Sequence, residues 1–295
     1  MTTLRVGARG SDLSLAQTRW LIQMLRAARP DLACQIVIIE THGDQNQGSP
    51  LDGLWPPGGF VKRIEQALLE GEIDLAVHSH KDVLTEPTPG LTIAAIPERE
   101  APGDVLLTRE PAAVDALPPG FVVGTSSPRR THQIGRHAPQ VTPEPIRGNV
   151  PTRLEKLMAG RYDGVVLAAA GLARLGVRHE HRLDLPLDQF PPAPGQGALA
   201  AQAREGSAAA EHVTTIDHLP TRLAVNAERA FLRATGGGCH AALGAYATVE
   251  GETLTLRGQL FQDDRCLAKT VTGPASDPEA IGRRLAREMG VLGAT

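Results

Sequence analysis

Short apolar strands alternating with amphipathic helices restrict this 295-residue chain to the α/β fold class more than any other feature. A strand-like run at 4–8 precedes a helical pattern that Ser11 or Ser14 could cap and that ends near Ala28. The run at 35–40 is β-branched and apolar, as expected of a strand that is buried on both faces. The alternation predicts a sheet covered by helices.

The same alternation continues through two loosely similar halves. Further strands are predicted at 73–79, 91–98, 121–127, 162–171 and 198–204, and further helices at 60–71, 129–136 and 150–159. The Gly- and Pro-rich segment 42–59 predicts a lid or a disordered insert, and 100–104 and 190–197 predict crossovers between domains.

The final third changes character. An amphipathic helix at 221–235 ends at three glycines, and alternating runs separated by turn signals then predict a small antiparallel sheet. A last helix is predicted at 277–290.

Composition excludes several classes of function. Lys and Arg total 30 against 33 Asp and Glu, so the net charge of −3 provides no basic field for coating nucleic acid. Aromatic residues are 3% of the chain, too few for a base-stacking platform. No apolar run reaches the roughly 20 residues of a membrane span, and the N-terminus has no secretion signal. Three distant cysteines exclude a disulfide framework, so a cytosolic protein is expected.

Four predicted strand ends place glycines or hydroxyl residues beside cations: GARGS (7–11), VHSHKD (77–82), GTSSPRR (124–130) and RGNVPTR (147–153). Ligands of open α/β sheets bind at such ends, where helix N-termini favour anions. Arginine forks also suit carboxylates and phosphates. One such turn would be an ordinary cap. Four basic turns in an acidic chain predict a site for a multiply charged anion.

Two single residues suggest chemistry. Asp82, next to Lys81, should stay ionised and could stabilise a developing positive charge, although pairing with Lys81 or capping a helix is an equally good interpretation. Cys239 follows three glycines that leave its sulfur uncovered, so it could be a nucleophile or an attachment point. Taken alone, however, the glycines favour a plain helix C-cap with an incidental cysteine. The spacing of His78 and His80 indicates no metal site.

Taken in order, these motifs resemble the porphobilinogen deaminase (hydroxymethylbilane synthase) family over essentially the whole chain. The segments that carry the resemblance are VGARGSDLSLAQ, FVKRIEQALLEGEIDLAVHSHKDV, GTSSPRR, RGNVPTRLEKL, YDGVVLAAAGLARLG, PAPGQGAL, AERAFLR and GGGC. Each motif is weak alone, but the ordered set is specific. The resemblance implies two similar periplasmic-binding-protein-like α/β domains and a small α+β C-terminal domain. Their expected bounds are 1–98 with 196–217, 102–192, and 220–295.

The resemblance also implies roles for particular residues. Cys239 matches the cysteine that holds a dipyrromethane cofactor through a thioether, and Asp82 matches the catalytic aspartate. The family's cofactor- and substrate-binding positions fall on Arg9, Ser11, Lys62, Ser79, Lys81, Thr125, Ser126, Ser127, Arg129, Arg130, Arg147, Arg153, Arg174 and Gln196.

The implied activity joins four porphobilinogen units head to tail with loss of ammonia and then releases hydroxymethylbilane by hydrolysis, in haem biosynthesis. Every ring carries an acetate and a propionate, which accounts for an arginine-rich site in an acidic chain. The implied protein is a cytoplasmic monomer that binds porphobilinogen and needs no metal, nucleic acid or membrane.

Four positions depart from the family's usual pattern: His42, Pro57, His80 and Pro128. These departures affect the expected contacts of the lid and how far the Arg129 side chain can reach. They also leave Lys62 as the sole cation of the segment that contains PPGGF. Asp82 and Cys239 are unaffected.

Two other functions compete with this one. A two-lobed cytosolic anion-binding protein without catalysis would explain the basic strand ends, but not the third domain or the uncovered cysteine. A phosphoribosyl-type transferase would need an acidic metal-binding stretch beside a phosphate loop, which the sequence lacks.

Overall fold

The computed structural model describes residues 3–39, 59–237, 241–262 and 265–293. The chain forms two compact units, Met1–Glu100 with Ala198–Arg222, and Ala101–Gly197 with Leu223–Thr295. Three sheets are distributed over these units. The predicted division into three domains, with the bounds given above, stays a prediction.

The first unit is built on a five-stranded sheet of order β2-β1-β3-β10-β4. Strand β1 lies parallel to β2 and β3, and β10 runs antiparallel to β3 and β4. Apolar residues of the helices fill the core on both faces of the sheet. The elements are β1 (Thr3–Ala8), α1 (Asp12–Ala28), β2 (Ala33–Ile38), α2 (Gly59–Leu69), β3 (Leu75–Ser79), β4 (Leu91–Ala95), β10 (Leu199–Arg204) and α6 (Ala208–Val213).

The second unit contains another five-stranded sheet, of order β7-β6-β8-β5-β9. Strand β6 is parallel to β7 and β8, and β5 is antiparallel to β8 and β9, so the two large sheets share one topology. The elements are β5 (Asp104–Thr108), β6 (Val122–Gly124), α3 (Pro128–His137), β7 (Thr142–Glu144), α4 (Val150–Met158), β8 (Gly164–Ala168), α5 (Ala169–Leu175) and β9 (Arg182–Asp184).

The C-terminal sheet, also in the second unit, has the antiparallel order β11-β12-β13. Phe231 is fully buried against it, and a Cβ at Gly258 would lie 2.8 Å from the Phe231 ring, so only glycine fits there. The elements are α7 (Leu219–Ala234), β11 (Leu243–Glu250), β12 (Thr253–Gln262), β13 (Arg265–Pro274) and α8 (Pro278–Met289).

These observations confirm the predicted fold class of two similar α/β domains and a small C-terminal domain. Three local expectations were wrong. Strand β2 is half-buried rather than buried on both faces, because it lies at the sheet edge, where Ile38 is 56% exposed. The strand predicted at 162–171 ends at Ala168, where α5 begins, and the 100–104 crossover already contains the first residue of β5. The predicted lid, residues 42–59, lies outside the described residues except for Gly59, which begins α2.

Candidate anion-binding and active site

In the first unit, the ends of β1 and β3 present predicted site residues at the same sheet edge, because these strands are parallel neighbours. Ser11, rather than Ser14, caps α1 by accepting a hydrogen bond from the Ser14 amide at 3.4 Å. Half-buried Arg9 donates its own amide to the Ser14 hydroxyl at 3.0 Å. The N-terminus of α1 therefore lies next to Arg9.

Asp82 lies in the turn that follows β3. Gln17, buried on α1, donates to the Ser79 hydroxyl at 2.8 Å and orients the last residue of the strand. The His80 amide donates to the carbonyl of Ala198 at 3.0 Å, which holds the turn against the residue that precedes β10. Lys81 in this turn is half-buried, whereas Asp82 is exposed. The carboxylate is therefore accessible to a ligand while its backbone is held in place.

Lys62 projects from the first half of α2 and is exposed. This helix packs on the face of the sheet opposite to α1, and a layer of side chains lies between it and the sheet.

A buried polar chain occupies that layer. His78 on β3 donates from Nε2 to the Gln202 side-chain carbonyl at 3.0 Å, since the Gln202 amide nitrogen is used in donating to Glu65 at 2.8 Å. Glu65 also accepts from the Thr88 hydroxyl at 2.8 Å. Burial lowers the pKa of His78 to about 4, so the imidazole is neutral at physiological pH.

In the second unit, the hydroxyls after β6 are used partly to build the turn. The Ser126 hydroxyl donates to the Ile146 carbonyl at 2.6 Å and accepts from the Ile146 amide at 3.0 Å. Ser127 caps α3, and buried Thr125 accepts from the Ser127 amide at 3.3 Å. Pro128 takes the first position of α3, where the helix tolerates proline because no helical hydrogen bond is needed there.

Two of the predicted anion-binding arginines are buried against an aspartate. Asp104 begins β5, which is antiparallel to β8, so this residue meets the carboxyl ends of the parallel strands. Its carboxylate forms ion pairs with Arg129 at 2.8 Å and Arg130 at 2.6 Å, and it accepts from Gln196 at 2.8 Å. All four side chains are at most 9% exposed.

The charges in this cluster favour ionisation of the aspartate. Burial alone would raise the pKa of Asp104, but Arg129 and Arg130 outweigh it and hold that pKa well below its usual range. Burial lowers the pKa of Arg129, although a guanidinium stays protonated in proteins. One carboxylate therefore balances one of two buried cations, and the cluster keeps a net positive charge.

The remaining cations follow β7 and β8. Arg147 is exposed, and Arg153 donates to the Gly148 carbonyl at 2.8 Å. Burial, and then the nearby charge of Arg130, lower the pKa of Arg153. Arg174 on α5 donates to the Gly197 carbonyl at 2.7 Å.

The structure thus gathers Arg9, Ser11, Ser79, Lys81 and Asp82 at one sheet end. Around the corresponding end of the five-stranded sheet in the second unit lie Thr125, Ser126, Ser127, Arg129, Arg130, Arg147, Arg153, Arg174 and Gln196. Cys239 lies outside the described residues. Within the described ranges, no three His, Cys, Asp or Glu side chains are grouped to hold a metal, and no helix is long and apolar enough to span a membrane.

Comparisons with known proteins decide the family. A family model described as porphobilinogen deaminase, dipyromethane cofactor binding domain, matches residues 4–212, and one for the porphobilinogen deaminase C-terminal domain matches 222–290. The chain belongs to the porphobilinogen deaminase family.

Relatives of this family match along the whole chain. The porphobilinogen deaminase of Thermus thermophilus is 46% identical over 98% of this chain and 96% of its own length. That of Moorella thermoacetica is 44% identical over 100% and 95%. Among solved structures, the periplasmic VFT2 domain of Bordetella pertussis BvgS aligns with a TM-score of 0.40 and 16% identity over 72% of this chain and 86% of that one.

The donors described here fit the cofactor named by the family model. A dipyrromethane carries carboxylate side chains, and guanidinium forks and hydroxyls are the groups that bind carboxylates in fixed geometry. Sequence reasoning missed Asp104, Gln17 and Gln133, all buried polar residues beside predicted site residues. Gln17 interrupts the apolar face of α1, and this interruption could have predicted a buried polar contact. Asp104 was missed because it was assigned to a crossover.

Proposed function

We propose that this chain joins four porphobilinogen units on a dipyrromethane primer held through a thioether at Cys239, and then releases hydroxymethylbilane by hydrolysis. Membership of the family supports transferase activity and the use of this cofactor. The covalent link, the residue roles, a cytoplasmic location and a monomeric state belong to the proposal.

The observation that carries the catalytic role is the position of Asp82. It is exposed in a turn that is held by a backbone hydrogen bond, directly after a buried strand. Positive charge develops on a pyrrole nitrogen when porphobilinogen loses ammonia and its carbon is attacked. A fixed carboxylate stabilises that charge and can accept and return the proton.

The cations supply binding rather than proton transfer, since guanidinium groups stay protonated. Arg9, Arg147 and Arg153 are accessible enough to pair with the acetates and propionates of the growing chain. Arg129 and Arg130 contribute mainly through the net charge of the cluster with Asp104, because both side chains are buried and donate to groups within the fold.

When bound, dipyrromethane would supply the nucleophilic pyrrole carbon to which the first substrate unit is joined. Arg153 and the Ser127 hydroxyl would hold its carboxylates, because the Ser126 hydroxyl proton is already donated to the Ile146 carbonyl. No described residue favours an anion-binding protein without catalysis over the enzyme.

Intact mass spectrometry tests the attachment. The native chain is expected to exceed its sequence mass by two pyrrole units, and Cys239→Ser is expected to lose this excess. Cys266→Ser is the matched control, because Cys266 lies half-buried on β13; it should keep the adduct. An unmodified native mass, or an adduct that persists in Cys239→Ser, would contradict the proposal.

A further inference from the structure

The Pro- and Gly-rich segment 190–197, expected only to cross between domains, is hydrogen-bonded to helix α3 and to the C-terminal sheet of the second unit. The Pro191 carbonyl accepts from Arg129 at 3.1 Å and from Gln133 at 2.9 Å. The Pro192 carbonyl accepts from the Ala245 amide of β11 at 2.8 Å. The segment therefore lies between α3 and the C-terminal sheet as a bonded layer.

Gln133 is the side chain that links these parts. It is fully buried on α3, and its carbonyl oxygen accepts from Arg129 at 2.9 Å. Its amide nitrogen donates to Pro191 and, at 2.8 Å, to the side-chain carbonyl of Gln259 on β12. Since arginine only donates, the amide has one possible orientation, and both of its hydrogens are used.

Strand β11 approaches this layer closely. A Cβ at Gly244 would lie 3.1 Å from the Pro191 carbonyl carbon and closer still to its oxygen, so the backbones are in direct contact. Glu228 on α7 clamps the same layer, since its carboxylate accepts from the Gly195 amide at 2.7 Å and the Ala247 amide at 2.9 Å. Gly244 is the fifth residue after Cys239 in the chain.

We propose that Gln133 is a positioning residue that sets the start of β11, which follows Cys239 closely in the chain, relative to the Arg129–Arg130–Asp104 cluster. The proposal rests on the proposed attachment at Cys239. Gln133 need not touch substrate or cofactor. Its effect is geometric: an attached chain must present its reacting carbon at a fixed distance from the groups that bind and polarise the incoming unit.

The test compares Gln133→Met with the native full-length chain, both as purified. Methionine keeps the volume and removes all three hydrogen bonds. Hydrogen exchange of the Ala245 amide should become about tenfold faster, while amides of α8 exchange as before, because only the bonded layer loosens. kcat should fall about tenfold with KM within about twofold of native, because the charges of the cations that bind substrate are unchanged.

Two further variants make the test specific. Gln259→Met removes the Gln133–Gln259 bond from the other side, and the double variant should be no worse than Gln133→Met, since that bond is already lost in Gln133→Met. Gln140→Met is the matched control: Gln140 donates to the Leu117 carbonyl at 3.1 Å in the same unit, and its loss should change neither Ala245 exchange nor kcat. Should Gln133→Met not fold, Gln259→Met carries the measurement.

Unchanged Ala245 exchange, equally faster exchange throughout α8, or native kcat would each overturn the positioning role. The mass of each sample reports separately on attachment. An adduct unaffected by Cys239→Ser would remove the proposed function, while the exchange result would still stand as a statement about β11.

Discussion

The two large sheets share a topology, but the residues at one equivalent position differ. In each, an antiparallel strand begins opposite the last residue of a central parallel strand: Leu199 faces Ser79 in the first unit, and Asp104 faces Ala168 in the second. Both first residues are buried. The buried residue at this position is therefore apolar in the sheet of the first unit and charged in the sheet of the second.

The same fold therefore places charge differently at the ends of its two large sheets. Asp104 draws Arg129 and Arg130 into the second unit, where they are bonded and keep a net positive charge. The first unit has a neutral imidazole next to the end of β3, and Asp82, in the turn after that strand, is exposed. The same residue type is thus structural at one sheet end and available for chemistry at the other.

The largest expected effect on stability comes from Asp104→Asn. Removing the carboxylate leaves two buried guanidinium groups without their counterion, which should lower the free energy of unfolding by about 3–5 kcal/mol. Urea denaturation measures the change.

Asp163→Asn provides the control for that measurement. Asp163 pairs with Arg109 at 2.7 Å, but both side chains are more than a third exposed, so its loss should cost about 1 kcal/mol or less. Equal costs for the two variants would mean that burial does not distinguish the two ion pairs.

A smaller, pH-dependent effect is expected for His78→Gln in the first unit. The pKa of His78 falls from 6.5 to about 4 on folding, so the unfolded chain binds the proton more tightly. Stability from this group is present above pH 6.5 and is lost as the pH falls towards 4, by up to about 3 kcal/mol. Glutamine cannot titrate, so the variant should lose less stability over this range.

Urea denaturation at pH 4.5 and pH 6.5 measures that difference. If the native chain and the variant lose stability in parallel, then His78 is not held neutral, and the contrast between the two sheet ends disappears.

Local patterns in the sequence predicted most of the fold and the strand-end positions of the site. The sequence displays directly the neighbouring residues that set the cap of α1, expected at Ser11 or Ser14 and found at Ser11. The same holds for the end of α2 before Gly71 and for the strand that ends at Ser79. The motifs also located Asp82 in a turn after a strand.

The buried pairings could not be read in this way. Asp104 meets Arg130 across 26 positions and Gln196 across 92, so only the closed sheet brings them together. In the sequence, Arg129 and Arg130 resemble anion-binding residues, because their counterion, Asp104, is distant from them along the chain. The half-burial of β2 likewise depends on its place at the sheet edge, which is a property of the strand order.

The central claim, that the exposed aspartate performs the chemistry and the buried one holds the fold, is tested most directly by Asp82→Asn. Its kcat should fall by roughly 10²–10⁴-fold, as expected when a group that stabilises charge and moves protons is lost. Its free energy of unfolding should stay within about 0.5 kcal/mol of native. Glu86→Gln, at an exposed carboxyl four residues further on, should keep native kcat. A near-native kcat for Asp82→Asn would contradict the account.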